Sequence, residues 1–393
     1  MKDFSYKEAI LMAAIQHGFI TTNGIKLLKD HQSYLRKRTS YLTKKGFLAD
    51  RKITHKNDKK TYSIKYKAIT KSGIEYAKKH WSDKYSWLKY LPNPLPDFYI
   101  ITTKNIESLY RQLLSTTASI LFKQVGFDTV FMRGEDNREG VSYKQLIYNA
   151  KEQDKIVNGI AKTPSTKDIT SNYIHSNDIY SFFHAKEGEQ QQLTFTQQIG
   201  FLVDRSNSYI IYSAKKNGIR ISYTMLDRVR VKFRNYLKEN NIPFKTTVLG
   251  SGFILADTPM VWKKTALLNI NNKNKKKTGL FLQNLYCFPV IRDIVYIVDK
   301  ILYYGDDFIN VVIDILLSLD DNFQRDRGLK YKDIPVIIGL DMDIVKLQSV
   351  YKEIQNGKEF VMVCIPWQEE YYKMIFPDNV IYYHMGDYLL EPV

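Results

Sequence analysis

The amino-terminal eighty residues open with an apolar period of three to four and then change to a period of two. Residues 5–16, SYKEAILMAAIQ, set Ala9, Ile10, Ala13 and Ala14 on one helical stripe, and Ser5 with Glu8 has capping-box spacing. Phe19-Ile20-Thr21-Thr22 breaks the run, and Asn23 precedes a short helix, GIKLLKDH. A third helix is expected over residues 32–45, QSYLRKRTSYLTKK, with Gly46 as its left-handed cap. Its stripes separate by residue type: Tyr34, Leu35, Tyr41 and Leu42 fall inward, while Ser33, Arg36, Lys37, Ser40 and Lys44 fall outward. Phe47-Leu48-Ala49 and TYSIKYKAIT then read as a two-stranded hairpin, with the basic stretch ITHKNDKK as its charged tip. Thr70-Lys71-Ser72-Gly73 opens a further helix, IEYAKKHW.

Pro92, Pro94 and Pro96 exclude a helix across the next stretch, so residues 85–98 read as a linker between a domain at 1–84 and a second region at 99–393. Helical periodicity returns in KNIESLYRQLLSTTASILFKQVG, where Ile106, Tyr110, Leu113, Leu114, Ala118, Leu121 and Phe122 share a stripe. Residues 132–193 read as polar loops around a helix at 142–151. QIGFLV, YIIYS and IRISY, separated by DRSNS and KKNG, predict a β-meander. A basic helix follows, MLDRVRVKFRNYLKENN, with Leu226, Val229, Phe233 and Leu237 as its buried seam. TTVLGSGFILA reads as a strand pair or bulged strand, and NINNKNKKKTG at 269–279 as a Lys-rich loop that either is simply solvated or lies along a phosphate backbone. From residue 280 strand and helix alternate, from the apolar run VIRDIVYIVDK through DDFINVVIDILLSL, PVIIGLD, MDIVKLQSVYKEIQ, EFVMVCIP and WQEEYYKMIF to NVIYYHM. That alternation implies a parallel sheet with crossover helices. The fold class expected is α+β with a carboxy-terminal α/β sheet.

Composition narrows the class. At 393 residues, 44% hydrophobic and 13% aromatic, the chain can fill more than one core and is not a disordered chain. No apolar run reaches the length of a spanning helix, and the start is broken by charges, so a cytoplasmic protein with no membrane partner is expected. Cys287 and Cys364 are far apart and outside any metal-binding spacing, which leaves two buried free thiols. The formal charge of +17 is unevenly spread. Residues 1–80 carry 19 Lys and Arg against 6 Asp and Glu, residues 81–292 carry 30 against 17, and residues 293–393 carry 9 against 18. A polyanion suits the first 292 residues, and the acidic remainder suits another surface, such as the basic face of a second copy in a homo-oligomer.

The stretch SYLRKRTSYLTKKGFL followed by YSIKYKAITKSGIEYA resembles the recognition helix, wing and following helix of winged helix-turn-helix domains of the MarR and PadR type, with a Thr-x-x-Gly step where wing gives way to helix. The resemblance implies double-stranded DNA as partner. Ser33, Arg36, Lys37, Ser40 and Lys44 are then the major-groove face, and Lys52, His55, Lys56, Lys59 and Lys60 place the wing on backbone or minor groove. A protein-docking winged helix would show the same solvated face. Over residues 1–260 the chain also resembles the replication-relaxation proteins of Gram-positive plasmids and integrative elements, which implies a role in replication or transfer of such an element and supplies no catalytic residues.

Catalytic signatures are missing. The histidines form no His-x-His pair, Gly250-Ser251-Gly252 lacks the Lys of a phosphate loop, and no acid-x-Lys spacing occurs beyond residue 85. Asp50-Arg51-Lys52 and Asp58-Lys59-Lys60 have that spacing but belong to the hairpin, and Asp257 before Trp262-Lys263-Lys264 lacks its second acid. Asp341 and Asp343 stand past the carboxyl end of the strand PVIIGL, where α/β sheets hold ligands. A carboxylate pair there suits Mg²⁺, but capping of the next helix is the commoner use and the one expected. The reading is a sequence-specific DNA-binding protein without cofactor. Its rivals are a Mg²⁺-dependent relaxase or nuclease whose acids, Asp204, Asp257, Asp341 and Asp343, converge in space, and a ligand-responsive transcription regulator.

Overall fold

The computed structural model describes residues 6–28, 32–57, 60–100, 106–130, 141–158, 171–175, 198–204, 207–214, 217–221, 223–239, 249–271, 282–376 and 378–386. These residues form helices and several small mixed sheets, an α+β architecture. The chain divides into two compact units, Met1–Ser206 with Phe233–Lys245, and Asn207–Lys232 with Thr246–Val393. Residues 85–98, expected as a linker, lie inside the first unit.

The first unit opens with α1 (Tyr6–His17), β1 (Phe19–Thr21), α2 (Thr22–Leu27), α3 (Gln32–Lys44), β2 (Leu48–Asn57), β3 (Lys60–Ile69) and α4 (Lys71–Trp81). β3 pairs antiparallel with both β1 and β2, in a register that runs from Leu48 opposite Ile69 to Asn57 opposite Lys60. The stretch ITHKNDKK is therefore not only a tip. It continues both strands, where β-branched Ile53, Thr54, Thr61 and Ile64 favour extended backbone. α3 buries Leu35, Thr39 and Leu42, and the Thr39 hydroxyl donates to the Leu35 carbonyl at 2.8 Å. Tyr34 and Tyr41, expected inward, are instead 38% exposed, because the Leu35–Thr39–Leu42 stripe takes the core and leaves them on its flank. Gly46 ends the helix at φ +74°, as expected. Thr70 caps α4, accepting from Gly73 N at 3.1 Å and donating to Gly46 O at 2.6 Å. A Cβ on Gly73 would lie 2.4 Å from Phe47 O, so the Thr-x-x-Gly step follows from the close approach of α4 to the start of the hairpin.

This module is packed on the rest of its unit. A 3-10 turn at Ser86–Tyr90 leads to β4 (Phe98–Tyr99), α5 (Ile106–Gln124), β5 (Asp128–Val130), β6 (Val141–Ser142), α6 (Tyr143–Val157), β7 (Ser171–His175) and β8 (Gln198–Asp204). β7 pairs parallel with β5 and antiparallel with β8. α5 buries Leu113, Ala118, Leu121 and Phe122 as its stripe requires, and it also buries Ser115, Thr116, Thr117 and Ser119. Those hydroxyls are engaged. Thr117 meets Thr21 at 2.9 Å and Ser119 meets His17 Nε2 at 3.2 Å, while Ser115 meets the Tyr173 hydroxyl at 2.7 Å and donates to Ile199 O. Gln124 Nε2 donates to Leu27 O at 2.6 Å. Glu8, buried in the first turn of α1, accepts from Lys84 Nζ at 2.6 Å and from the Tyr85 hydroxyl at 2.9 Å.

In the second unit, β9 (Ser208–Ala214), β10 (Ser251–Ala256) and β11 (Asn284–Pro289) run parallel. Of the meander expected over 198–223, the first two runs are strands and the third is not. Its third run, around Ile219 and Ile221, is buried without being a strand: Ile219 N donates to Thr265 Oγ1 and Ile221 N to Asn269 Oδ1, both on α8 (Pro259–Ile270). Side chains of a helix thus supply the acceptors a neighbouring strand would have offered. α7 (Tyr223–Glu239), which crosses the unit boundary, buries Leu226, Val229, Phe233 and Leu237 as expected. Of TTVLGSGFILA, the described part is a single strand. The Lys-rich run lies outside the described residues from 272 on.

The run VIRDIVYIVDK is not a strand but enters α9 (Ile294–Tyr304), which buries Ile294, Val298 and Ile301 at helical spacing. The alternation then holds: α10 (Phe308–Leu319), β12 (Phe323–Arg325), β13 (Leu329–Tyr331), β14 (Ile334–Ile338), α11 (Ile344–Gln355), β15 (Phe360–Cys364), α12 (Pro366–Tyr372) and β16 (Val380–His384). β14, β15 and β16 are parallel, and β12 and β13 add an antiparallel edge. Cys287 and Cys364 are buried free thiols. No described helix is long and apolar enough to cross a membrane. Replacing Glu8 by Gln keeps the shape but removes the charge that holds Lys84 and Tyr85, and should cost about 1–3 kcal/mol. A lower urea midpoint for the variant, with faster amide exchange in α1, is the expected readout.

Candidate nucleic-acid interface

α3 presents its polar residues because its buried ones repeat at 35, 39 and 42. Arg36, Lys37, Ser40 and Lys44 are all exposed, on one continuous face. None of Arg36, Lys37 and Lys44 forms an ion pair with another described residue. The side chains of Ser33, His55, Lys56 and Lys60, and Lys59 altogether, lie outside the described residues.

The hairpin continues the same chemistry. Lys52 stands directly opposite Lys65 and both are exposed, while two residues nearer the strand ends Lys67 is paired with Asp50 at 2.7 Å. Two like charges across one ladder repel each other, and a polyanion lying over them removes that cost. Lys65 was not foreseen from the sequence, although the period-two pattern of YSIKYKAI places Lys65 and Lys67 on one face.

A second group of cations, on α3 and beside it, also escaped the sequence reading. Arg38 lies over Tyr34, its guanidinium carbon 4.6 Å from the ring centre, and Nη2 donates to the Tyr34 hydroxyl. Lys7 and Lys45 lie 4.5 and 5.9 Å from the centre of the Tyr41 ring. The signal for both was the four-residue spacing of Tyr34–Arg38 and Tyr41–Lys45, hidden by assigning the tyrosines to the core.

The carboxylates of the second unit are built differently. Asp341 and Asp343 are each 3% exposed, on a turn whose middle residue, Met342, has φ +49°. Asp343 Oδ1 caps α11 by accepting from Val345 N at 3.0 Å, and it also accepts from Leu285 N at 2.8 Å. With its amide turned so that nitrogen meets acceptors, Asn284 donates to Asp343 Oδ2 at 3.1 Å. Asp341 accepts from Asp343 N at 3.3 Å and from Lys346 Nζ at 2.7 Å. Every carboxylate oxygen of the pair therefore has a donor, and the pair joins β11 to the turn after β14. Among the described residues no group of three or more His, Cys, Asp or Glu could hold a metal ion. The structure joins Asp341 and Asp343 to each other; Asp257 follows β10, and the Asp204 side chain lies outside the described residues.

A separate cavity of about 330 Å³ is lined by Glu369, Lys373, Phe376, Asp378, Val380, Tyr382 and His384. Its charges are largely spent on one another, with Glu369 bridging Lys373 and His384 at 2.5 Å each.

The chain matches no family model, no curated protein and no solved structure.

Burial, reinforced by the neighbouring Asp341 charge, pushes the Asp343 carboxyl up to about 6 against the N–H groups of Leu285 and Val345. Between an unfolded value of 3.8 and that native value, the folded chain keeps a proton that the unfolded chain has released. Stability from this group therefore falls as pH rises through that window, and the cost is fully present above it. Asp343→Asn keeps the capping oxygen without the charge, so its urea midpoint should change less than the parent's between those two pH values.

Proposed function

We propose that the chain binds duplex DNA through a winged helix formed by residues 6–81, with α3 as recognition helix and the β2–β3 hairpin as wing. The observation that carries this reading is the run of exposed cations on α3 without described ion-pair partners, continued by the opposed Lys52 and Lys65. Two lysines held opposite each other repel, and a phosphate backbone lying over them offsets that cost, because each cation that meets it releases condensed counterions. The geometry also divides the labour: a helix enters the major groove, and a hairpin beside it meets the backbone. Residues 1–80 and residues 81–292 each carry a net +13, and residues 293–393 carry a net −9, so the charge of the chain steers a polyanion away from its carboxy-terminal part. The service we infer is sequence-specific binding in the replication, transfer or control of a plasmid or other mobile element.

The full chain, titrated with fluorescent duplexes, should bind with an affinity that falls steeply as salt rises. The double variant Arg36→Ala, Lys37→Ala should lose about 1–3 kcal/mol on its preferred duplex and discriminate less among sequences. Lys52→Ala, Lys65→Ala should weaken all duplexes alike and reduce the salt slope. Binding that ignores salt, or that survives all four substitutions, contradicts the reading.

A further inference from the structure

The cations of α3 are of two kinds. Arg36, Lys37 and Lys44 extend from the helix with no described ion-pair partner, so no described ion pair fixes their direction before a ligand arrives. Arg38 is held. Its guanidinium lies over the Tyr34 ring at 4.6 Å and Nη2 donates to the Tyr34 hydroxyl, so its position is set before any ligand arrives. One of five N–H donors is spent on that bond, and the remaining four still include an in-plane pair. An in-plane pair of donors is the element that meets O6 and N7 of guanine in the major groove.

The location agrees with the geometry. Helical side chains lean toward the amino terminus, so Arg38, folded back on a residue four positions earlier, brings its guanidinium beside the first turn of α3. In helix-turn-helix proteins it is the amino-terminal part of the recognition helix that meets base edges. The arrangement also accounts for a tyrosine left 38% exposed on a helix whose core stripe is complete without it.

Resting on the DNA-binding reading above, we propose that Arg38 is a specificity-determining residue that reads a guanine in duplex DNA, and that Tyr34 is its positioning residue. The test selects duplexes from a random library with the full chain, then measures binding to the selected duplex and to copies in which single G·C pairs become A·T. For the parent chain at least one such change should matter strongly. In Arg38→Ala the preference for that pair should fall roughly tenfold, the size that a bidentate base contact confers, while binding to unselected duplex is retained. Arg38→Lys should lose most of the preference too, since an ammonium cannot form the fork. Tyr34→Phe, which keeps the ring and removes the hydroxyl, should lower the preference by a smaller factor, and the double variant Lys52→Ala, Lys65→Ala should weaken all duplexes alike. Unchanged melting temperatures keep the comparison free of folding effects. The proposal is overturned if Arg38→Ala weakens every duplex equally or leaves the preference intact. A parent chain that selects no duplex overturns the DNA-binding reading as well, whereas selection that ignores Arg38 overturns this inference alone.

Discussion

A helix buried around most of its circumference has to place every polar side chain against a partner, and α5 does so with a run of small hydroxyls. Ser115 turns to Tyr173 and Ile199, while Thr117 and Ser119 turn to Thr21 and His17 of the amino-terminal module. Unmade, each of these bonds would leave a buried polar atom at a cost of about 1–3 kcal/mol. The set therefore specifies one seating of α1, β1 and α2 on the unit. Gly24 adds a steric condition, since a Cβ there would approach the Ile120 side chain to 2.7 Å. With α1 and α2 seated and Glu8 holding residues 84 and 85, the orientation of α3 and the hairpin within the unit follows.

Placing a charged helix on a fixed support has an electrostatic consequence. Exposed lysines and arginines on a mobile arm would attract a polyanion without orienting it, whereas the same residues on a seated helix present donors in a defined direction. The tyrosines on the flank extend this order to the side chains, because Arg38 and Lys7 rest on aromatic faces instead of ranging through solvent. The buried carboxylates of the second unit show the contrasting use of charge. Asp341 and Asp343 are satisfied by backbone N–H groups and Lys346, and they join β11 to the turn that follows β14.

Much of the fold was legible wherever a single period ran undisturbed. The helices α1, α3 and α4, the Thr70-x-x-Gly73 step and the parallel strands β14 to β16 all follow from local pattern and turn chemistry. Three features did not, each for its own reason. The meander failed at Ile219 and Ile221 because α8, distant in sequence, supplies the hydrogen-bond acceptors. The run VIRDIVYIVDK is rich in β-branched residues, yet Ile294, Val298 and Ile301 repeat at helical spacing, and packing overrode propensity. The boundary expected near the prolines was drawn from breakers alone, which cannot register the hydroxyl contacts of α5. At the candidate interface Arg36, Lys37, Ser40, Lys44 and Lys52 were readable as an exposed face. Arg38 and Lys65 were not, because one depends on an outward tyrosine and the other on the register of a long hairpin.

The central claim is that duplex DNA lies on α3 and the β2–β3 hairpin. Amide hydrogen exchange of the full chain, with and without a selected duplex, tests it at the level of elements. The account predicts slower exchange along α3 and both hairpin strands, with residues 293–376 unchanged apart from any change at a contact between copies. Protection confined to the acidic region, or exchange in α3 and the hairpin that is the same with and without DNA, would contradict it.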